Sequence, residues 1–403
     1  MSRIALVAAA LAGGLVLAAC GPGSDSAGPS PTSSSTPTAS ASSQVAGPTG
    51  PASPAASSGT TGLAACMKPY ALGNESRSVG QISGAKAALA SRVSGMVVQA
   101  NWDQLEPGTP GRYDTTAIDQ QLAYARSKNL PVRLRVIAGT LAPDYVKKMG
   151  GAPIPFYDHQ QKIATTIGRF WRTDYQARWQ ALMTYLASRY DGDPLVREVN
   201  IAGTGVISAE PMLLMSSDTI PGSKVTNGQR LLDAGATEPQ RRAALMADIA
   251  FMQKTWKHTH TTLFAHPYQT LETKQRVDLS VTEAVIRTAY AADPGATVFG
   301  HTGASEGTFT GSAHSGALEM YTFLIDNHLP FMAQTQAYSG GAKNAGVGSL
   351  SYVMTWLAGH GAYSIELPSG WQTDSAALAV LSRTTSQMSS SSSAAFARFD
   401  SGC

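Results

Sequence analysis

Short β-type segments alternate with longer helical segments through most of this chain, and this order constrains the fold more than any other feature. We predict helices at residues 116–127, 174–190, 238–258, 280–292 and 315–327. Helices between successive strands are typical of parallel sheets, because parallel strands need long crossover connections. Eight such strands predict an α/β fold, a (β/α)8 TIM barrel, with a doubly wound sheet as the alternative. The strands are predicted at residues 95–102, 131–139, 197–203, 261–268, 297–303, 330–337 and 362–368, with a weaker one at 69–73.

The N-terminal 62 residues are predicted to lie outside this domain. Arg3 precedes an apolar run, residues 4–17, which is too short to span a bilayer as a helix. The run leads into L-A-A-C, residues 17–20, which resembles the bacterial lipobox. The resemblance implies a signal peptide, residues 1–19, cleaved before a lipid-modified Cys20 on the extracytoplasmic face of the cell membrane. An ordinary signal peptide is the alternative.

Residues 20–62 are almost entirely Ser, Pro, Thr, Ala and Gly, a composition that predicts a disordered linker. Residues 63–403 then form the functional domain. Its two cysteines, Cys66 and Cys403, are predicted to form a disulfide in an oxidising compartment, with two free thiols as the alternative.

The charge and the glycine pattern bear on possible partners. The formal net charge is +3 and the chain has no basic run, so nucleic acid is not a predicted partner. Glycine-rich phosphate-binding motifs of the GxGxxG and GxxxxGK types are absent from the sequence, so no cofactor is predicted. A monomer is expected.

Polar side chains are predicted inside the barrel. On the strand at residues 131–139, Arg133 and Arg135 share one face, and the apolar residues between them must face the helices. Both arginines are therefore predicted to point inward, as catalytic-site groups or as members of structural ion pairs. Other polar residues fall near the C-terminal strand ends, where barrel enzymes keep their active sites: Gln99, Asn101, Asn200, His266, His301, Gln334 and Gln336.

The region from residue 95 to residue 210 carries a family resemblance. Its motifs are W-D-Q-L-E-P at residues 102–107, G-R-Y-D at 111–114, L-P-V-R-L-R at 130–135 and A-P-D-Y at 142–145. They resemble clan A glycoside hydrolases, in particular family 42 β-galactosidase-like enzymes. The resemblance implies a TIM barrel that acts on a carbohydrate with two catalytic carboxyl groups.

Glu210 is the residue that the resemblance implies as the acid/base, because it follows the strand at residues 197–203. The family's nucleophile ends the seventh strand, where this sequence offers Gln334 or Gln336. The next carboxyl group is that of Glu366, on the following strand. Either the strand count is off by one or the nucleophile has moved, and Glu210 with Glu366 is the predicted catalytic pair. Arg133 or Arg135 would keep Glu366 ionised.

Aromatic and histidine side chains complete the predicted site. Trp102, Tyr268, Tyr338 and Trp371 lie beside strand ends, where they either stack on sugar rings or belong to the core. His266 and His301 show no third metal ligand in the sequence, so we expect hydrogen bonds to sugar hydroxyls and no metal.

Two functions remain open. The first is a surface-tethered glycoside hydrolase acting on an extracellular or cell-wall poly- or oligosaccharide. The second is a non-catalytic, glycan-binding lipoprotein on the same scaffold. Both predict a carbohydrate ligand and a membrane anchor.

Overall fold

The computed structural model describes residues 67–271, 277–312, 316–338 and 346–400, with side chains up to residue 394. Eight parallel strands form a closed barrel, which confirms the predicted TIM-barrel fold. Each pairs with its two neighbours in chain order, and the last closes on the first. The strands are β1 (Gly73–Ser76), β2 (Gly95–Asn101), β3 (Val132–Ile137), β4 (Val196–Asn200), β5 (His260–Phe264), β6 (Thr297–Ala304), β7 (Phe331–Thr335) and β8 (Ser364–Leu367).

Helices connect the strands and cover the barrel. Alternate residues of β3 (Val132, Leu134 and Val136) are fully buried toward them, as the apolar alternation predicts. No helix among the described residues is long and apolar enough to cross a membrane. The α-helices are α1 (Trp102–Leu105), α2 (Thr116–Ser127), α3 (Asp144–Lys147), α4 (Thr173–Tyr190), α5 (Asn227–Asp233), α6 (Glu238–Thr255), α7 (Leu279–Ala292), α8 (Glu306–Phe309), α9 (Ala317–Asp326), α10 (Leu350–Gly359) and α11 (Ser375–Asp400).

Two antiparallel hairpins interrupt the alternation on the side where the barrel strands end. The first pairs Ile154–Asp158 with Ile163–Ile167 and follows β3. The second pairs Tyr268–Gln269 with Val277–Asp278 and follows β5. A long segment without regular strands, residues 201–226, follows β4. These connections shape the C-terminal mouth of the barrel.

The first strand lies three to four residues later than the sequence predicted, at Gly73–Ser76 rather than at residues 69–73. Its four residues lack the β-branched and aromatic side chains that favour strands, so local propensity does not reveal it. Pairing with β2 and β8 on its two sides makes this segment a strand. Asn74 fixes it further by donating to Thr384 and Thr385 of α11. The count of eight strands is confirmed, and Glu366 lies on the eighth.

The interior of the barrel is an ion network instead of the usual layers of branched apolar side chains. Arg133, fully buried, donates to Glu198 and to the hydroxyl oxygen of Ser364, the latter at 2.9 Å, and its Nη2 lies 2.9 Å from Glu75 Oε1. Tyr70 also donates to Glu198. The prediction that Arg133 and Arg135 point inward is confirmed, and for Arg133 the contacts are structural.

Candidate functional site

A cavity of ≈ 240 Å³ opens at the C-terminal mouth of the barrel. Four barrel strands contribute to its wall near their C-terminal ends, which is where TIM-barrel enzymes keep their active sites. The remaining wall comes from the short turn after β3, from the turn of the first hairpin and from the segment after β4. The lining residues are Gln99, Arg135, Ile137, Leu141, Gln160, Gln161, Ile207, Ser208, Ala209, Glu210, Thr302 and Gln334.

Glu210 is the one carboxylate among these lining residues. Its side chain is 2% exposed, and its Oε2 accepts a hydrogen bond from Ser208 Oγ at 2.9 Å. Its Oε1 is buried and has no hydrogen-bond partner among the described residues. Glu210 also forms no ion pair with a lysine or arginine in the described part of the chain. A buried carboxylate with so few partners is costly, so a bound group is expected beside it.

Glu366, the other predicted catalytic carboxyl, does not line the cavity. It is fully buried, and arginines engage both of its oxygens. Oε1 lies 2.9 Å from Arg77 Nε, while Oε2 binds Arg135 and lies 3.6 Å from Arg133 Nη1. The structure therefore places Glu366 behind Arg135, and Arg135 presents its edge to the cavity.

The charge state of Glu366 follows from these contacts. Burial alone would raise the pKa of its carboxyl, but the guanidinium groups of Arg135 and Arg77 outweigh burial and hold it below the ordinary value. Arg135 is one of the two arginines that the sequence analysis expected beside Glu366. Deeper in the barrel, burial raises the pKa of Glu75 to about 8, against the opposing effect of Arg133. The pKa of Glu366, near the mouth of the barrel, is thus lowered, whereas that of Glu75, deeper in the lumen, is raised.

Glu75 and Glu198 were missed at the sequence level, although the interior is built around them. The signal for Glu198 was present, because it shares a strand face with Asn200 two residues later. Asn200 itself is fully buried, and neither amide atom has a hydrogen-bond partner among the described residues. It does not line the cavity.

The aromatic residues predicted as sugar platforms belong mostly to the core. Trp102 and Trp371 have no exposed surface, and Tyr268 is 1% exposed, so none of the three rings is accessible to a sugar. The indole of Trp102 donates to Glu106 at 3.0 Å, and that of Trp371 to Gln81 at 3.3 Å. Because strand ends are also where loops and helices fold over the barrel, an aromatic ring there is readily covered.

Tyr338 is partly exposed, but it too lies outside the cavity lining, and its hydroxyl donates to Asp374 at 2.9 Å. Asn101 caps α1, where its side chain and that of Gln104 form a capping box. Gln336 is half-buried and does not line the cavity either. Of the predicted residues, those that line the cavity are Gln99, Arg135, Glu210 and Gln334.

The W-x-x-x-E motif that carried the family resemblance is structural here. Glu106 has no exposed surface and accepts from Trp102, from the backbone N–H of Gly111 at 2.5 Å and from Arg178. These bonds tie the end of α1 to the following turn and to α4. The motif therefore stabilises the structure that follows β2, and its Trp102 and Glu106 do not line the cavity.

The two histidines lie beside Glu210. One ligand atom from each of Glu210, His266 and His301 falls within 4.8 Å of the other two, and the imidazole centroids are 4.9 Å apart. In the sheet, His301 of β6 pairs with Ala333 of β7, and the preceding pair, Gly300 and Met332, faces the lumen. The His301 ring packs against Tyr321 of α9. Burial, and to a smaller extent the neighbouring His266, holds the pKa of His301 well below its ordinary value. The sequence did not reveal Glu210 as a third group here, since it comes from a different segment.

Several cavity residues carried no signal in the sequence. Gln160 and Gln161 reach the mouth from a hairpin turn, and Thr302 comes from a strand whose register shifts near its end. Polar residues in turns are common, and only the fold shows that these face a cavity. The predicted lipid site Cys20 and the predicted disulfide partners Cys66 and Cys403 lie outside the described residues.

Comparisons with known proteins bear on the fold. No family model matches the chain, and no curated protein matches it. The catalytic domain of beta-amylase from Paenibacillus polymyxa superposes with a TM-score of 0.51 and 10% identity, covering 80% of this chain and 99% of that one. A cold-adapted beta-galactosidase from Rahnella sp. R3 gives a TM-score of 0.50 and 13% identity, covering 82% of this chain and 57% of that one. At these identities the likeness shows the fold alone, a TIM barrel.

Proposed function

We propose that this protein is a glycoside hydrolase acting on an extracellular or cell-wall oligo- or polysaccharide. The observation that carries the proposal is the position of Glu210, a nearly buried carboxyl in the wall of an open cavity at the C-terminal mouth of the barrel. The fold that this chain shares with the beta-amylase catalytic domain supports the same proposal.

The cavity wall suits a saccharide. Five of its residues offer amide or guanidinium groups to sugar hydroxyls: Gln99, Arg135, Gln160, Gln161 and Gln334. An amide can both donate and accept, which matches the dual character of a hydroxyl. Ile137 and Leu141 supply apolar surface for a sugar face. Glu210 would deliver its proton to the glycosidic oxygen as this bond breaks.

The second carboxylate in this proposal is Glu366, which is ionised, as a nucleophile or general base must be. In the structure its oxygens face Arg77 and Arg135, so it can meet a sugar only when Arg135 moves aside. The proposal therefore includes displacement of Arg135 by the bound substrate. Glu366 on the eighth strand would replace the carboxyl that the family has at the end of the seventh, where this chain has Gln334.

The same burial of Glu366 favours a second candidate, a glycan-binding protein without catalysis. If Arg135 stays on Glu366, one carboxyl alone faces the ligand, and two-carboxylate cleavage is not possible. The cavity would then hold a saccharide by its amide groups only.

Hydrolysis assays separate the two candidates. The purified chain is tested on plant and bacterial cell-wall glycans beside Glu210→Gln, Glu366→Gln and, as a matched control, Glu319→Gln on the exposed side of α9. The hydrolase proposal expects both site variants to lose about 10²- to 10⁴-fold in rate while the control keeps its activity. Binding of a glycan without product release supports the second candidate. A protein that neither binds nor cleaves any of the glycans would overturn both candidates.

We propose further that a lipid on Cys20 tethers the protein to the extracytoplasmic face of the membrane, with residues 20–62 as spacer. The lipobox-like L-A-A-C supports this. In the native host, a Cys20→Ser chain should lose incorporation of labelled palmitate and leave the membrane fraction. Unchanged membrane association of that variant would contradict the lipid anchor.

A further inference from the structure

We propose that Glu210, His266 and His301 form a binding site for a divalent transition-metal cation such as Zn²⁺. Three segments that are distant in sequence bring these side chains together: the segment after β4, the segment after β5 and strand β6. One ligand atom from each lies within 4.8 Å of the other two. Two imidazoles and a carboxylate are a ligand set that proteins use for zinc, with the fourth position open to water.

The distances suit a cation of this size. Zinc bonds to imidazole nitrogen and carboxylate oxygen are about 2.0–2.2 Å long, so ligand atoms at tetrahedral positions lie roughly 3.4 Å apart. A group that already falls within 4.8 Å reaches this spacing by small side-chain rotations.

Glu210 supplies an observation that is independent of this clustering. Its carboxyl is 98% buried, and Oε1 has no hydrogen-bond partner among the described residues, where it also lacks an arginine or lysine partner. The buried lumen carboxyls of Glu75, Glu198 and Glu366 each contact an arginine. A cation between Glu210 and the two histidines would supply the positive charge that this carboxyl lacks.

His266 is oriented for coordination. Its Nδ1 lies 2.9 Å from the carbonyl oxygen of Pro267, and because a carbonyl only accepts, Nδ1 carries the proton. The lone pair of Nε2 is thereby left for a cation. A backbone carbonyl bonded to the second nitrogen is the common way in which proteins fix a metal-binding histidine.

His301 limits the affinity of this site for the cation. In the metal-free protein its Nδ1 accepts a hydrogen bond from the backbone N–H of Gly303 at 3.0 Å. Coordination through either nitrogen gives up this bond, since binding through Nε2 moves the ring proton to Nδ1. We therefore expect an affinity below that of structural zinc sites built from cysteine and histidine.

The cation would also have a consequence for the reaction, and this consequence alone rests on the proposed function. Coordination would occupy the carboxyl oxygen through which Glu210 delivers its proton to the glycosidic oxygen. Bound cation would then inhibit hydrolysis, and a chelator would restore it.

Equilibrium dialysis of the metal-stripped full chain against ZnCl₂ tests the site without reference to activity. We expect one Zn²⁺ per chain, with the dissociation constant raised at least about 100-fold by Glu210→Gln and by His266→Gln. His360→Gln, on the exposed end of α10, is the matched control and should bind as the wild type does. Circular dichroism verifies that each variant is folded. If His266→Gln does not fold, the isosteric Glu210→Gln variant still decides the test.

Binding of Co²⁺ in place of Zn²⁺ gives a second readout, because the visible absorption of cobalt reports imidazole and carboxylate ligands directly. Absence of stoichiometric binding to the wild type would overturn the proposal. Equal binding by the wild type and both site variants would overturn it as well, since the cation would then lie elsewhere. A protein that binds zinc at this site but cleaves no glycan even in its metal-free form would refute the hydrolase proposal and leave the cation site standing.

Discussion

Replacing Glu366 with glutamine should destabilise the folded protein strongly at neutral pH. The change removes the negative charge that faces Arg77, Arg133 and Arg135, and the side chain of Arg133 has no exposed surface. Removing one partner of a buried ion pair costs about 3–5 kcal/mol, because the remaining charge stays buried without compensation. Arg77 is partly exposed and can be hydrated, so we expect the lower end, about 3 kcal/mol.

The pH dependence gives the sign of this effect. The pKa of Glu366 is lowered in the folded state, so its carboxylate contributes stability that is present above the unfolded-state pKa of about 4.3. This contribution is lost as the pH falls through the folded-state pKa. The difference between the wild type and Glu366→Gln should therefore be full at pH 7 and shrink in acid.

Urea unfolding followed by circular dichroism at pH 7 and at successively lower pH measures both quantities. Glu319→Gln, an exposed change of the same kind, should stay within about 0.5 kcal/mol of the wild type. A Glu366→Gln protein that matches this control at pH 7, or that differs from the wild type equally at all pH values, would refute the ion-cluster argument.

Three further predictions concern other groups. Glu210→Gln should lower the rate of glycan cleavage by about 10²- to 10⁴-fold in a reducing-sugar assay while it shifts the unfolding midpoint little, since the carboxyl makes one hydrogen bond and no ion pair with lysine or arginine in the described part of the chain; a variant as active as the wild type would exclude Glu210 as the acid. Glu106→Gln should lower the free energy of unfolding by about 2–3 kcal/mol, because Glu106 binds Arg178 and Trp102. It should have no specific effect on substrate affinity, since none of these three residues lines the cavity; a changed affinity with unchanged stability would contradict this. Burial raises the pKa of Asp248 to about 7, so the folded protein should lose stability progressively as the pH rises from about 4 to about 7. Asp248→Asn should flatten that part of the stability profile measured by urea unfolding; identical pH profiles for the variant and the wild type would contradict the assignment.

The barrel itself could be predicted from the sequence, because it depends on periodicity. Helix α2 occupies the predicted residues 116–127, and the alternation of Val132, Arg133, Leu134 and Arg135 gave the correct inward face of β3. Strand β1 was misplaced because its four residues owe their conformation to neighbouring strands and not to their own propensity.

The site was predictable only in part, since its geometry depends on which groups meet across the barrel. The sequence singled out both glutamates, but it could not show that Arg77 and Arg135 cover Glu366 while Glu210 lines the cavity. Likewise, proximity to a strand end does not distinguish an exposed ring from a covered one, and Trp102 is covered. The contact between Glu210 and the two histidines joins three segments that have no common sequence motif.

A crystal structure of the Glu210→Gln variant with a saccharide identified in the glycan assays would test the central claim most directly. Our account predicts a sugar in the mouth cavity, contacted by Gln99 and Gln334, with a glycosidic oxygen within about 2.6–3.2 Å of the residue 210 side chain and with Arg135 displaced from Glu366. A saccharide bound elsewhere on the barrel, with this cavity filled only by water, would contradict it.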